Sequence, residues 1–388
     1  MFKGKVLIEV RKGGFINKGA ELMLCAVLEK MKKEYPEAVF AMTPTVSEAS
    51  APYLKRAQLG FYQKAHMWRG GMQLGTLASL IPTKIRDMFG IVLNKEIDIV
   101  LDLAGFAYSD QWGQRSCEEL ANSCKRWKKN GTKVIILPQA LGPYKSVFNA
   151  KAMQAALNNA DKVYARDKTS YKFLVDVVGE RENLKIAPDF TNLIEGILPD
   201  NHDYETNRFC IVPNYRMIDK TDMQKADAYL PFMIKVTRYA YEQGLRPFIL
   251  LHEGANDLML AQAIQDAVSP NVQILRESDP LKIKGIIGAS IGTVGSRFHG
   301  LVSALSQGKP ALATGWSHKY KMLFDDYGFP EGLLDVHMPD SELYRIMDLL
   351  INDSSRLKVT NAIKQNSSVL KKSTELMWED VMSVLKPK

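Results

Sequence analysis

Residues 98–138 read DIVLDLAGFAYSDQWGQRSCEELANSCKRWKKNGTKVIILP. Two short, β-branched apolar runs, Asp98–Leu103 and Lys133–Pro138, flank a stretch with helical character, Gln114–Lys129. Runs that are apolar throughout, rather than alternating, suit strands covered on both faces. A strand, a helix and a second such strand read as a right-handed parallel crossover.

The same alternation extends in both directions. Strands are expected over Val6–Val10, Ala38–Thr43, Lys162–Arg166 and Leu184–Ala187. A second series follows at Phe209–Pro213, Arg246–Leu251, Val272–Leu275, Ala289–Thr293 and Ala311–Thr314. Helices are expected over Asn17–Lys33, Thr169–Val178, Asp222–Gln243, Asp257–Val268 and Ser296–Gln307. Residues 197–207 are polar, contain Pro199 and lack periodicity, so they separate the two series. The expectation is an α/β protein of two Rossmann-like domains, residues 1–197 and 208–350. The long amphipathic stretch 354–388 is expected to cross back to the first domain.

Composition agrees with this size and class. The 388 residues suit two domains at ~150 residues each. An apolar share of 46% and a charged share of 24% exclude general disorder, and 26 Gly and 17 Pro exclude collagen-like repeats. The net charge of +8 favours an anionic partner. No nucleic-acid recognition motif accompanies it, so no nucleic acid is expected. Four cysteines without a CxxC do not form a disulfide framework. Cys117 and Cys124 share a helix face and read as buried side chains rather than metal ligands, so no metal site is expected.

Neither a signal-peptide pattern nor ~18 consecutive apolar residues occurs, and a cytoplasmic location is expected. One stretch departs from the alternation. Tyr53–Gln73 interleaves Tyr53, Phe61, Tyr62 and Trp68 with Lys55, Arg56, Lys64 and Arg69. It reads equally as a sugar-stacking or membrane-surface loop and as a partly buried irregular excursion.

Parallel sheets bind ligands beyond the carboxyl ends of their strands. After the first strand, residues 12–21 (KGGFINKGAE) form a Gly-rich turn opening a helix. The turn is neither GxGxxG nor a Walker A loop, and it reads either as an anion cradle or as a turn that needs Gly for positive φ. Gln139 follows the strand at 133–138, and Arg166 follows the strand at 162 onward. Arg166 reads either as a bidentate anion ligand or, with Asp167, as part of a helix cap. The densest signal is 292–300, GTVGSRFHG, at a strand end. There Ser296 is the expected N-cap, with Arg297 and His299 in the first helical turn. Lys319 follows the next strand.

Taken in order, these residues resemble the polysaccharide pyruvyl transferase family. The resemblance rests on the loop at 13–21, the PQALGP turn at 138–143, ARD at 165–167, Pro188-Asp189, SRFH at 296–299, GKP at 308–310 and Lys319. It implies a GT-B-like fold whose two parallel sheets face a central cleft. It also implies ketal transfer from phosphoenolpyruvate onto two hydroxyls of one sugar, with no cofactor beyond that co-substrate. His299 is then the expected general acid or base, since imidazole titrates near neutral pH. Arg166, Ser296, Arg297 and Lys319 are the expected donor-binding residues, with Arg166 contributed by the first domain. Gly14, Asn17, Gly19, Glu21 and Gln139 are expected on the acceptor or cleft side. Ala20 stands where family members often carry Asp, which puts an acidic role of that loop in question.

The expected acceptor is a glycan, as a polymer repeat or on a lipid-linked or nucleotide-linked precursor. A 4,6-ketal on a hexose such as galactose is the implied product. A lipid-linked acceptor would bring the basic protein to the inner face of the membrane. Two alternatives stay open. One is a GT-B glycosyltransferase using a nucleotide-sugar donor; the other is a non-catalytic carbohydrate-binding protein. Against the first, no ribose-binding carboxylate is evident in the sequence.

Overall fold

The computed structural model describes residues 4–44, 52–69 and 72–385. The chain divides into two units. The first holds the start of the chain to Phe15, Met23–Asp189 and the end from Glu375; the second holds Ile16–Leu22 and Phe190–Thr374.

In the first unit, β1 (Leu7–Arg11), β2 (Val39–Met42), β3 (Phe61–Lys64) and β4 (Ile91–Val92) run to one side. On the other side come β5 (Ile99–Asp102), β6 (Lys133–Gln139), β7 (Lys162–Ala165) and β8 (Leu184–Ile186). Together they make one parallel sheet in the order β8-β7-β6-β5-β1-β2-β3-β4. The sequence order reverses between β1 and β5, which pair from Ile8 with Ile99 to Arg11 with Asp102. β1, β5 and most of β6 are buried, which is why they read as unbroken apolar runs.

The second unit holds β9 (Phe209–Val212), β10 (Pro247–Leu251), β11 (Ile274–Arg276), β12 (Gly292–Gly295) and β13 (Ala311–Ala313). Their order is β11-β10-β9-β12-β13, again all parallel, with the reversal between β9 and β12. The helices used below are α1 (Lys18–Glu34), α2 (Arg115–Lys129), α3 (Lys168–Val178), α4 (Phe298–Ser306), α5 (His318–Asp326) and α6 (Asp353–Leu385).

Three expectations need correction. The stretch 53–73 is not a single irregular excursion: Pro52–Gln58 is helical and Phe61–Lys64 enters the sheet as β3. Phe61 packs edge-on against Phe40 of β2 at 6.2 Å, and this tertiary contact recruits a segment whose own pattern is mixed. Gly70 and Gly71 lie outside the described residues, as do the side chains of Tyr53, Trp68 and Arg69. The strand expected over Ala289–Thr293 is β12, three residues later, because 280–289 (PLKIKGIIGA) forms a helix capped by Asp279. Helix formation there is favoured by Pro at the first turn and by burial of Ile283, Ile286 and Ile287. Finally, Arg166 lies one residue past β7 rather than inside it.

Cys117 and Cys124 are buried, and burial pushes both thiols up to about 12, as inert core side chains require. No group of residues able to hold a metal ion occurs among the described residues.

The last turns of α6 are tied to the first sheet through Asp380. Its carboxylate takes Lys162 and Lys185 at 2.9 Å each and the Tyr164 hydroxyl. Burial alone would raise the Asp380 pKa. The Tyr164, Lys162 and Lys185 hydrogen bonds overcome that and bring it down to about 2. The stabilisation from Asp380 is therefore complete above the ordinary carboxylate value of ~3.9 and is lost as pH falls toward 2. Urea melts of the wild type and Asp380→Asn should diverge by about 1–2 kcal/mol at pH 6 and converge near pH 2. Equal stability of the two proteins at pH 6 would refute this role.

Candidate active site

In the second unit the sheet order reverses between β9 and β12, where ligands of open α/β sheets bind. The loop after β12 is anchored by Ser296, which is fully buried. Tyr229 donates to Ser296 Oγ at 3.1 Å, and the Ser296 and Thr314 hydroxyls share a 2.7 Å bond. The Ser296 carbonyl accepts from Asn214 Nδ2 at 2.5 Å and from the Tyr320 hydroxyl at 2.8 Å.

These bonds correct the expected cap. The Ser296 hydroxyl is committed to the strand-end network, α4 begins at Phe298, and Arg297 occupies the N-cap position with no side-chain cap bond. Arg297 is thus just ahead of the first turn, not in it.

The Arg297 guanidinium is buried and paired. Its Nη2 lies 2.6 Å from both oxygens of Asp257, its Nε lies 3.0 Å from Oδ2, and its Nη1 pairs with Glu253. Burial works against the Arg297 charge, and Asp257 and Glu253 outweigh it, so its pKa is raised. Neither carboxylate figured among the expected site residues. The signal was present in residues 251–257, LHEGAND, directly after the expected strand 246–251.

His252, in the same loop, is likewise buried, and its Nδ1 has no hydrogen-bond partner. Burial, then the charges of Arg297, His299 and Lys18, hold its pKa well below the usual imidazole range, so it is neutral.

The loop opening α1 completes this side of the second unit. Asn17 Oδ1 accepts from the backbone N–H groups of Gly19 and Ala20 at 2.9 and 3.2 Å, an N-cap that uses donors a ligand could otherwise take. Asn17 Nδ2 reaches Glu253 at 3.5 Å, and the Lys18 N–H meets the His252 carbonyl at 3.4 Å. Glu21 is paired with Lys18 at 2.6 Å. Gly19 lies against His299: a Cβ there would stand 2.3 Å from His299 Nδ1. Lys319, in the first turn of α5, places its ammonium over Trp316 at 4.6 Å, Phe298 at 5.2 Å and Tyr320 at 5.6 Å. The Phe298 ring in turn meets the His299 ring edge-on at 5.5 Å. Asn17, Gly19, Glu21, Ser296, Arg297, His299 and Lys319 therefore all belong to one unit.

Gly14, Gln139 and Arg166 belong to the first unit. Gln139 is wholly buried and spends its amide nitrogen on Asp102 at 3.1 Å and the Leu137 carbonyl at 3.3 Å. Asp102 draws it inward because that carboxylate lies in a buried network with Arg11, at 2.5 Å, and the Tyr108 hydroxyl, at 2.7 Å. Arg166 pairs with Asp189 at 3.0 Å, while Asp167 caps α3 by accepting from the Ser170 N–H at 2.7 Å. The cap is thus the work of Asp167 alone. The Gly-rich turn does not take positive φ at its glycines; Lys12 does, at 62°. A Cβ at Gly13 would stand 3.3–3.4 Å from the side-chain tips of Leu24, Leu103 and Met42, a tight fit that these side chains would have to accommodate.

Two parallel sheets flanked by helices define an α/β fold of the GT-B-like type. Solved structures agree. UDP-GlcNAc 2-epimerase from Neisseria meningitidis, bound to UDP-GlcNAc, superposes with a TM-score of 0.60 at 11% identity, covering 98% of this chain and 100% of that one. Alr3699/HepE from Anabaena, in complex with UDP and glucose, gives 0.56 at 15% identity, covering 97% and 100%. A putative UDP-N-acetylglucosamine 2-epimerase from Listeria monocytogenes gives 0.58 at 12%, covering 97% and 98%. At these identities the likeness is one of fold.

The family is shown by sequence: residues 17–318 match the polysaccharide pyruvyl transferase model, and the chain belongs to that family. The match takes in Asn17, Gly19, Glu21, Gln139, Arg166, Ser296, Arg297 and His299. Gly14 and Lys319 lie just outside it.

The Gly19–His299 contact gives a direct test. Gly19→Ala adds a good helix former in the first turn of α1, so the fold should survive with an unchanged circular dichroism spectrum. The methyl must displace the imidazole, and if His299 takes part in the reaction turnover should fall by about 10²-fold, the effect of a ~1 Å misplacement. Full activity in Gly19→Ala would show that the position of His299 does not matter.

Proposed function

We propose that this chain transfers the enolpyruvyl carbons of phosphoenolpyruvate onto two hydroxyls of one sugar in a cell-surface glycan or its precursor, releasing phosphate and leaving a pyruvate ketal. The observation that carries this reading is the grouping of Arg297, His299 and Lys319 at the carboxyl ends of β12 and β13, within a chain of the pyruvyl transferase family.

Phosphoenolpyruvate brings a carboxylate and a phosphate, whose removal from water demands cations. Lys319 supplies one, packed against the faces of Phe298 and Trp316. Arg297 supplies a second if Glu253 yields its place to the donor. Glu253 is the more exposed of its two partners, with 19% of its side chain accessible against 1% for Asp257. Asp257 then stays to hold the guanidinium in line.

The chemistry needs a proton at the methylene carbon, attack of one hydroxyl on the resulting cationic carbon, loss of phosphate, and closure by the second hydroxyl. One hydroxyl proton ends on the new methyl group and the other on phosphate. His299 is the proton carrier in this scheme, since a nearby phosphate favours the imidazolium it would donate from. No cofactor beyond the co-substrate is required.

Mass spectrometry of a candidate glycan after incubation with phosphoenolpyruvate should find one added pyruvate. His299→Ala should lower the rate by ~10²–10⁴. A loss under about threefold would remove His299 from the mechanism. Glu253, a carboxylate beside the cationic group, favours a second reading: transfer from a nucleotide-sugar, of the kind whose UDP moiety the structural neighbours hold. Thermal shifts with phosphoenolpyruvate against UDP separate the two, because only a ligand of the native state raises the melting temperature.

The lipid-linked acceptor finds support in the segment after β3. No helix among the described residues is long and apolar enough to cross a membrane. Yet Leu80 and Met88 are each 80% exposed, with Leu77, Ile85 and Phe89 also exposed and Lys84 solvent-facing. Apolar side chains beside a cation suit a peripheral contact with an anionic bilayer. Co-sedimentation with anionic liposomes should be salt-sensitive and should drop by several-fold in Leu80→Asp/Met88→Asp. Binding that is indifferent to both salt and these substitutions would discard the membrane contact.

A further inference from the structure

The first unit holds a cavity of about 690 Å³ to which the chemistry above assigns no role. It lies past the carboxyl ends of β1, β2 and β3, with the start of α2 as its far wall. Its size is that of a small-molecule site.

The floor of the cavity is electrically closed. Glu9 and Lys64, each no more than 2% exposed, form one buried pair, and Glu119 holds Arg11 at 2.6 Å. Both carboxylates are therefore already engaged. Above them stand two cations, Lys12 and Arg115, both solvent-exposed. Lys12 adopts φ 62°, a left-handed backbone that side chains with a Cβ rarely take. Held at the rim of a cavity, such a conformation points to function.

A third group supplies direction without charge. Gln73 Oε1 accepts from the N–H groups of Met67 and Gly75, at 2.7 and 2.9 Å, so its amide nitrogen is the end that meets His66 Nδ1. His66 Nδ1 accepts there, and the ring proton sits on Nε2. Burial first, then Lys64, push His66 down to about 4, so the ring is neutral at physiological pH. A neutral Nε2–H is a hydrogen-bond donor suited to a sugar hydroxyl. Apolar walls from Met42, Pro44 and Met67 suit the C–H face of a pyranose.

We propose that this cavity binds the acceptor saccharide through an acidic substituent, a phosphate or a carboxylate, held by Lys12 and Arg115. The proposal rests on the pyruvyl-transfer reading for the word acceptor. The surrounding protein and Arg11 lower the Lys12 pKa, the electrostatic state that a bound anion would relieve.

Calorimetric titration of the full chain tests it, with glucose 1-phosphate, glucuronate and methyl glucoside as probes. At least one acidic sugar should bind about tenfold more tightly than methyl glucoside, and which one does so identifies phosphate or carboxylate as the recognised group. Lys12→Gln and Arg115→Gln should each weaken the acidic sugar about fivefold to tenfold and leave phosphoenolpyruvate binding unchanged. Lys12→Gly, which relieves the left-handed backbone, should lose the same affinity without lowering the melting temperature, separating recognition from folding. Equal binding of neutral and acidic sugars overturns the proposal, as does insensitivity of the acidic sugar to both substitutions. Loss of phosphoenolpyruvate affinity in these variants would also overturn it, making the cavity a donor subsite. The readout is binding, not turnover. A chain that binds acidic sugars through Lys12 and Arg115 but never adds pyruvate would sink the proposed reaction and keep the cavity. Normal transfer in both variants would do the reverse.

Discussion

A charge buried at the end of a parallel sheet must be paired, and both units of this protein are organised around that requirement. In the second unit Arg297 is enclosed and held by Asp257 and Glu253. In the first, Arg11 is enclosed and held by Asp102 and Glu119. Removing one member of such a group leaves an uncompensated buried charge, which costs several kcal/mol. Each cluster stands where its sheet order reverses, the one place where loops from neighbouring strands diverge and leave room for a ligand. The Arg11 group carries further rigidity: the guanidinium lies 5.2 Å from the Trp127 ring, and the Lys64 ammonium lies 5.0 Å from it.

The pairing explains why the loops are positioned rather than loose. Asp257 sits in the first turn of the helix after β10 and also accepts from the Tyr215 N–H at 3.0 Å. One carboxylate thereby joins the loop after β9 to the loop after β12. Ser296, Asn214, Tyr229, Thr314 and Tyr320 add a second net of hydrogen bonds beneath it. Side chains locked in this way can hold a reacting geometry, which flexible loops cannot do at the same cost in entropy. His299 gains its place from packing: Gly19 leaves just enough room for the imidazole, and the Phe298 ring bounds it on another side.

Charge is thus stored in two forms. Arg297 carries its cation with counter-ions already in place, and in the proposed reaction a donor anion would exchange with one of them. Lys319 carries its cation against aromatic faces, where quadrupole attraction offsets lost hydration. The first-unit cavity follows the other pattern: a neutralised floor with two exposed cations above it.

Much of this was legible in the chain. The strand and helix periodicity located most of β1 to β13, because strands covered on both faces are apolar throughout. β3 and the edge strand β4 escaped because both are short and mixed in pattern, and their pairing is decided by what lies beside them. The family signature named Arg297, His299 and Lys319 as a group. It did not name Glu253, Asp257 or His252, whose importance comes from burial beside an arginine that lies 40 or more residues away in sequence. Local sequence sets what each residue can do: a guanidinium can take an anion, an imidazole can move a proton, a glycine can admit a neighbour. Only the folded chain decides which partner each one meets, because pairing energies depend on distance and on exclusion of water. That is why Ser296 became a buried anchor instead of a cap, and why Lys12 rather than a glycine took the left-handed turn.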